Sequence, residues 1–121
     1  MTPIVVVSAK GAARWRQGHP WIYRSDVLAT GRTPAGPVRV TDRSGRFLGQ
    51  ALFSPASEIR LRLLTREEEP LDGAWWRGRV EAAAARRADL TPDTTAYRVV
   101  HAEADGLPSL MVDRYGDIVV A

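Results

Sequence analysis

Near the C-terminal end of this 121-residue chain, three side chains capable of proton transfer fall two residues apart: His101, Glu103 and Asp105. In an extended segment that spacing puts all three on one face, where general acid–base work could be done. The intervening residues argue against it. Asp105-Gly106 is a turn signal, and an aspartate there ordinarily bonds its own backbone. Asp113 and Arg114 alternate along the next extended run and are expected to make a cross-strand or interdomain contact. The chain has no cysteine, which excludes disulfides, thiolate metal sites and a cysteine nucleophile. Two histidines and scattered carboxylates are a poor basis for a metal site, and none is expected. No Gly-x-Gly spacing occurs, so the glycine-rich turn that opens a Rossmann unit is not found here. Neither a catalytic group nor a cofactor site is therefore expected within these residues.

The stronger chemical signal is basic. Residues 1–66 carry eleven basic side chains against three acidic ones, a net of +8, whereas residues 67–121 carry six against eleven, a net of −5. Nearly all the cations are arginine, which suits bidentate phosphate contacts and stacking on bases. Codon bias in a GC-rich genome explains the arginine excess but not the segregation of charge. Such asymmetry points to a polyanionic partner for the basic half. Lys10, Arg14 and Arg16 fall on one short helical segment beside Gly18-His19-Pro20-Trp21-Ile22-Tyr23, with Arg24 following. Cations beside a glycine-bearing turn can approach a phosphate backbone closely, and nearby aromatic rings offer faces to unstacked bases. Trp21 and Ile22 are expected in the core, since buried tryptophan commonly anchors small domains. His19, preceding a proline, reads as a turn or hydrogen-bonding residue rather than a base or ligand. Arg60 and Arg62 share one strand face, for which solvent and a binding partner are equally good readings.

The elements that must position these groups can be read in order. Ile4-Val5-Val6-Val7 is a β-branched strand. Ser8 caps a helix from Lys10 to about Gln17, ended by Gly18. Trp21–Tyr23 and Asp26–Ala29 are short extended pieces, and Gly31–Pro37 is a loop. Val38–Thr41 and Arg46–Phe53 form a hairpin about the turn Asp42–Gly45. Glu58–Leu64 has strict period-2 alternation, placing Ile59, Leu61 and Leu63 inward and Arg60 and Arg62 outward. Short strands with turns every ten residues or so indicate a small β-barrel. After Pro70, Asp72 caps a helix running to about Ala88, with Trp75, Trp76 and Val80 as its apolar side. Asp89–Thr95 is a loop. Arg98–His101, a turn over Ala102–Pro108, and a strand over Leu110–Asp117 make a second hairpin. Ile118-Val119-Val120 begins a further strand. A chain that stops inside an apolar strand is expected to be the front of a longer protein. No apolar run approaches the ~20 residues that span a bilayer, and the start lacks a basic leader. A cytoplasmic, non-membrane location is expected.

Two blocks of residues resemble one known family. Glu103, Asp105-Gly106-Leu107-Pro108 and Val112-Asp113-Arg114-Tyr115-Gly116-Asp117 resemble the segment preceding the catalytic domain of class I, S-adenosylmethionine-dependent ribosomal RNA methyltransferases acting on cytosine C5. Ser109 stands where that family has glycine. Lys10-Gly11, Gly18-His19-Pro20-Trp21-Ile22-Tyr23, Gly45-Arg46-Phe47-Leu48 and Ser57-Glu58-Ile59-Arg60-Leu61-Arg62 resemble the family's N-terminal PUA domain, with Arg62 in the arginine position. The resemblance covers nearly the whole chain. It implies a mainly β fold with α: a small PUA-like β-barrel over residues 1–66, then a helix and β-hairpin of a truncated α/β linker domain over 70–121.

By that resemblance the basic half binds ribosomal RNA, with Lys10, Arg14, Arg16, His19, Tyr23, Arg24, Arg60 and Arg62 as its contact residues. The methyl donor, S-adenosylmethionine, and the family's cysteine nucleophile would belong to a C-terminal catalytic domain in cis, outside these residues. A stand-alone PUA adaptor in ribosome biogenesis, without catalysis, is the alternative, and a protein-docking role for the basic face is a third reading. Homodimerisation through the open strand edge of the second hairpin is a further expectation.

Overall fold

The computed structural model describes residues 2–90 and 94–121, arranged as two compact units, Met1–Glu69 and Pro70–Ala121. The loop expected over Asp89–Thr95 lies partly outside the described residues. The described residues are mostly β-structure with two α-helices.

In the first unit, β1 (Ile4–Val7) leads into α1 (Ala9–Arg16). Then come β2 (Trp21–Tyr23) and β3 (Val27–Ala29), joined by a single 3-10 turn, Arg24–Asp26. β4 (Gly36–Thr41), β5 (Phe47–Phe53) and β6 (Ile59–Thr65) complete a six-stranded sheet in the order β2-β6-β5-β4-β1-β3. Only β1 and β4 run parallel. The strands at the two ends of that order, β2 and β3, are consecutive in the chain. The sheet therefore curls into a half-barrel, and the 3-10 turn carries the backbone from one edge to the other. Pro37 falls inside β4 rather than in the preceding loop. It costs the sheet little, because pairing with β1 begins only at Arg39 and a missing N–H before that point removes no bond between those strands.

The core is built by alternation. Val5, Val7, Val38, Val40, Ala51, Phe53 and Leu61 point inward from successive strands, and Ala12 and Trp15 from α1 cover them. Inward alternation on β6 holds at Leu61, while Ile59 is half-buried and Leu63 packs against the core edge. A register shift opposite Gln50 and Ala51 then puts both Leu64 and Thr65 inside. Trp15 is 1% exposed and abuts Gly49: a Cβ there would lie 3.2 Å from the indole and 2.8 Å from the Thr65 carbonyl oxygen. Ser8 ties α1 to the edge-to-edge turn. Its hydroxyl accepts from Gly11 N–H at 3.1 Å and donates to buried Asp26 at 3.0 Å, and its N–H donates to the Asp26 carbonyl at 2.8 Å.

In the second unit α2 (Gly73–Arg86) is capped by Asp72, whose carboxylate accepts from Trp75 N–H at 2.9 Å. The helix packs on an antiparallel sheet of β7 (Ala96–His101), β8 (Met111–Tyr115) and β9 (Ile118–Val120). Its buried contact is Ala83, set among Val100, Leu107, Val99, Leu110, Val112 and Trp76. Val80, expected on that apolar side, is instead 37% exposed. A small residue at the point of closest approach lets the helix lie near the sheet, and Val80 falls off the contact line. The expected hairpin is thus the first two strands of a three-stranded sheet. Ile118, Val119 and Val120 of its edge strand are more than half exposed.

Candidate nucleic-acid interface

Three elements converge on one half-buried strip of the first unit. α1 ends at Gly18, whose φ of +94° is the left-handed conformation glycine adopts without strain. The reversed chain is fastened by Gly18 N–H to the Trp15 carbonyl at 3.0 Å and His19 N–H to the Arg14 carbonyl at 3.1 Å. Arg66 donates to the same Trp15 carbonyl at 2.5 Å, placing a cation at the negative end of the helix. His19 Nδ1 accepts from Trp21 N–H at 3.2 Å, so Nδ1 is used structurally and Nε2 remains for a ligand. The hydrogen-bonding role expected of His19 is the one it has.

β2 then presents its residues alternately. Ile22 is fully buried, while Trp21 and Tyr23, two apart, share the opposite, half-buried face. The His19 ring lies 6.1 Å from Trp21 and 6.2 Å from Tyr23, tilted to both. From α1, the Arg14 guanidinium sits 5.2 Å from the Tyr23 ring centre. From β6, Arg62, directly across the strand pair from Trp21, sits 5.2 Å from that indole. The result is a continuous row, Arg14, Tyr23, His19, Trp21, Arg62, of planar groups with a cation at each end. Each guanidinium–ring contact is worth on the order of 0.5–1 kcal/mol at a partly exposed site.

The other expected contact residues divide between two places. Arg24 and Arg60 line a separate groove whose floor includes Val27, Leu28, Phe53 and Pro55. Arg24 also pairs with Glu58 at 3.4 Å, both side chains being mostly exposed. Lys10 and Arg16 are exposed on α1, and Arg16 lies 3.9 Å from Asp42. Asp42 belongs to its own turn: hydrogen bonds from Ser44, then from Arg46 N–H, hold its carboxyl below the usual carboxylate range. The eight residues therefore form no single patch. Arg14, His19, Tyr23 and Arg62 come together in the row; the other four do not join it.

One aromatic expectation needs correcting. Trp21, expected in the core, is half-buried in the row, and the fully buried indole is Trp15 of α1. The spacing Gly11, Ala12, Trp15, all buried, follows helical periodicity and is the signal that could have found Trp15. For Trp21 and Ile22, neighbours on one strand, alternation says only that one faces in.

His101, Glu103 and Asp105 form no catalytic face. Residues Ala102–Asp105 make a 3-10 turn capped by left-handed Gly106, which breaks the extended spacing. Asp105 is buried and saturated: both its oxygens accept from Arg87, Oδ1 also from Arg86, and Oδ2 from His101 N–H at 2.6 Å. Burial pushes its carboxyl up, but the bonds from Arg87, His101 and Arg86 outweigh this and hold it well below the usual range. Asp113 pairs across the strands with Arg98 at 2.7 Å, the cross-strand role expected of it. Among the described residues no group of three or more potential metal ligands occurs, and no helix is long and apolar enough to cross a membrane.

Curated relatives are similar to this chain in sequence. A ribosomal RNA large subunit methyltransferase of Deinococcus radiodurans is 44% identical over 94% of this chain, which covers 30% of the relative. The ribosomal RNA large subunit methyltransferase I of Shewanella denitrificans is 38% identical over 84% of the chain and 27% of the relative. The chain thus spans about a third of the length of the curated relatives it matches. A solved Streptococcus mutans structure, titled as a candidate SAM-dependent methyltransferase, superposes on 98% of the chain and 32% of its own length, with a TM-score of 0.83 at 20% identity. At that identity the likeness concerns the fold. Residues 5–66, the curled sheet with its basic helix, match the model of the PUA-like domain. With more than half of its residues inside that match, the chain belongs to the PUA-like domain family.

Proposed function

We propose that this chain is the RNA-gripping N-terminal part of an S-adenosylmethionine-dependent methyltransferase of large-subunit ribosomal RNA, acting on cytosine C5. The observation that carries the reading is the row Arg14, Tyr23, His19, Trp21 and Arg62, on a domain whose sequence relatives are ribosomal RNA methyltransferases. Guanidinium groups meet phosphates and aromatic faces meet unstacked bases, the two contacts RNA recognition uses most. Residues 1–66 are assigned to RNA binding, and residues 70–121 to the start of a linker domain joining that part to the catalytic one. Lys10, Arg16, Arg24 and Arg60 extend the electrostatic field around the row. The choice of C5 rests on the motifs around Asp105-Gly106-Leu107-Pro108 and Val112–Asp117.

These 121 residues do not fit the methyl donor. Their sheets are antiparallel apart from β1 and β4, and no Gly-x-Gly turn leads from a strand into a helix. The donor and the methyl-transfer chemistry are assigned to sequence beyond them, consistent with relatives about three times as long.

Binding to fragments of large-subunit ribosomal RNA tests the assignment. The chain is expected to bind them, and the double substitution Arg14→Glu, Arg16→Glu to weaken binding at least about tenfold by placing two anions where cations met phosphates. Wild-type affinity in that variant would sink the reading, as would failure of the unaltered chain to bind RNA.

A further inference from the structure

The geometry of the row points to a narrower ligand than RNA at large, and the inference rests on the RNA-binding reading above. We infer that Arg14, Tyr23, His19, Trp21 and Arg62 hold two consecutive unpaired nucleotides of single-stranded RNA, one base against Trp21 and one against Tyr23. Duplex RNA is the wrong shape for them.

Spacing decides between the two. Trp21 and Tyr23 are two residues apart on one strand, which separates their backbones by roughly 6.6 Å. Stacked neighbours in a nucleic-acid strand are about 3.4 Å apart. A stacked strand cannot lay adjacent bases on both rings, whereas a splayed one can. The His19 ring stands about 6 Å from each of the other two and occupies the gap in which the bases would restack on one another. In a duplex, moreover, base faces are covered by their neighbours, and only the backbone and groove edges are presented. Aromatic faces therefore gain nothing from a duplex.

Charge placement agrees. A guanidinium stacked on a ring keeps its N–H donors in its own plane, where a phosphate can take two of them without breaking the stack. Arg14 and Arg62 hold such positions at the two ends of the row, where the phosphates flanking a dinucleotide would lie.

The test uses the full 121-residue chain, a labelled single strand of about ten nucleotides without self-complementarity, and a blunt duplex of equal length at the same salt. Fluorescence anisotropy should show the single strand bound about tenfold more tightly. Tyr23→Leu should weaken single-strand binding about tenfold while changing duplex binding less than twofold, since stacking is the term removed. Tyr23→Phe, which keeps the ring, should bind as the unaltered chain does. With the unaltered chain, 2-aminopurine in the single strand should be quenched on binding, a readout that does not depend on any variant folding. Equal affinity for both forms, or no quenching, overturns this inference and leaves RNA binding standing. Failure to bind either form removes both.

Discussion

Ser109 has a φ of +66°, the left-handed region that L-residues other than glycine enter at a cost of roughly 1–2 kcal/mol. It lies in the tight return before β8, where Leu110 N–H donates to the Leu107 carbonyl at 3.1 Å. The side chain is exposed, so nothing buried is lost with it. Ser109→Gly is expected to raise stability by about 1 kcal/mol, read as a higher urea midpoint at unchanged slope. A lower midpoint would refute the strain argument. This position was legible in sequence only through the family motif, which has glycine there. Trp15 and Trp21 show the opposite case. Both sit in basic or mixed surroundings, and local sequence placed Trp21 in the core and was silent on Trp15. Which indole is enclosed depends on Gly49, Val40 and Leu63, brought to the helix by strands more than twenty residues away.

At the scale of elements, one carboxylate ties several parts of the second unit together. Asp105 receives α2 through Arg86 and Arg87, and β7 through the His101 N–H. Its folded pKa is depressed, so the stability it contributes is fully present above its unfolded value of about 3.9 and is lost as pH falls below that toward the folded value. Unfolding free energy is therefore expected to be level near neutrality and to decline once pH drops below about 4. Asp105→Asn should lose about 3 kcal/mol at pH 7, since two guanidinium groups lose their buried partner, and should flatten that acid decline. Denaturant melts of both chains at several pH values measure this; an unchanged acid dependence in the variant would show that the carboxylate is not responsible. The elements here were legible because their signals are local: Asp72 as a helix cap, Asp105-Gly106 as a turn, alternation along β8. The contact face of α2 was legible only in part: Trp76 packs there as expected, but the buried centre of the contact is Ala83, because close approach selects for small size and hydrophobicity alone does not report that.

Across the whole molecule, charge is segregated along the sequence, +8 over residues 1–66 and −5 over 67–121. If about four cations of the basic part meet phosphates of a single strand, log affinity should fall with log salt at a slope of roughly −3. A titration from low to moderate salt checks this, and salt-independent binding would exclude a phosphate-led contact. Arg14→Gln should make the slope shallower by a little under one, since one cation is withdrawn.

Composition and local pattern, by themselves, determined that this chain is mainly β with two helices, where most strands, caps and turns fall, and that its basic half suits a polyanion. These follow from near-neighbour chemistry, which the order of residues contains directly. The tertiary structure alone decided which of the cations stand over which rings. Arg62 meets Trp21 because β2 pairs with β6 across some forty residues of chain, and Arg14 meets Tyr23 because Gly18 turns α1 back against the same edge. No local pattern encodes that juxtaposition, since it arises from closing the sheet.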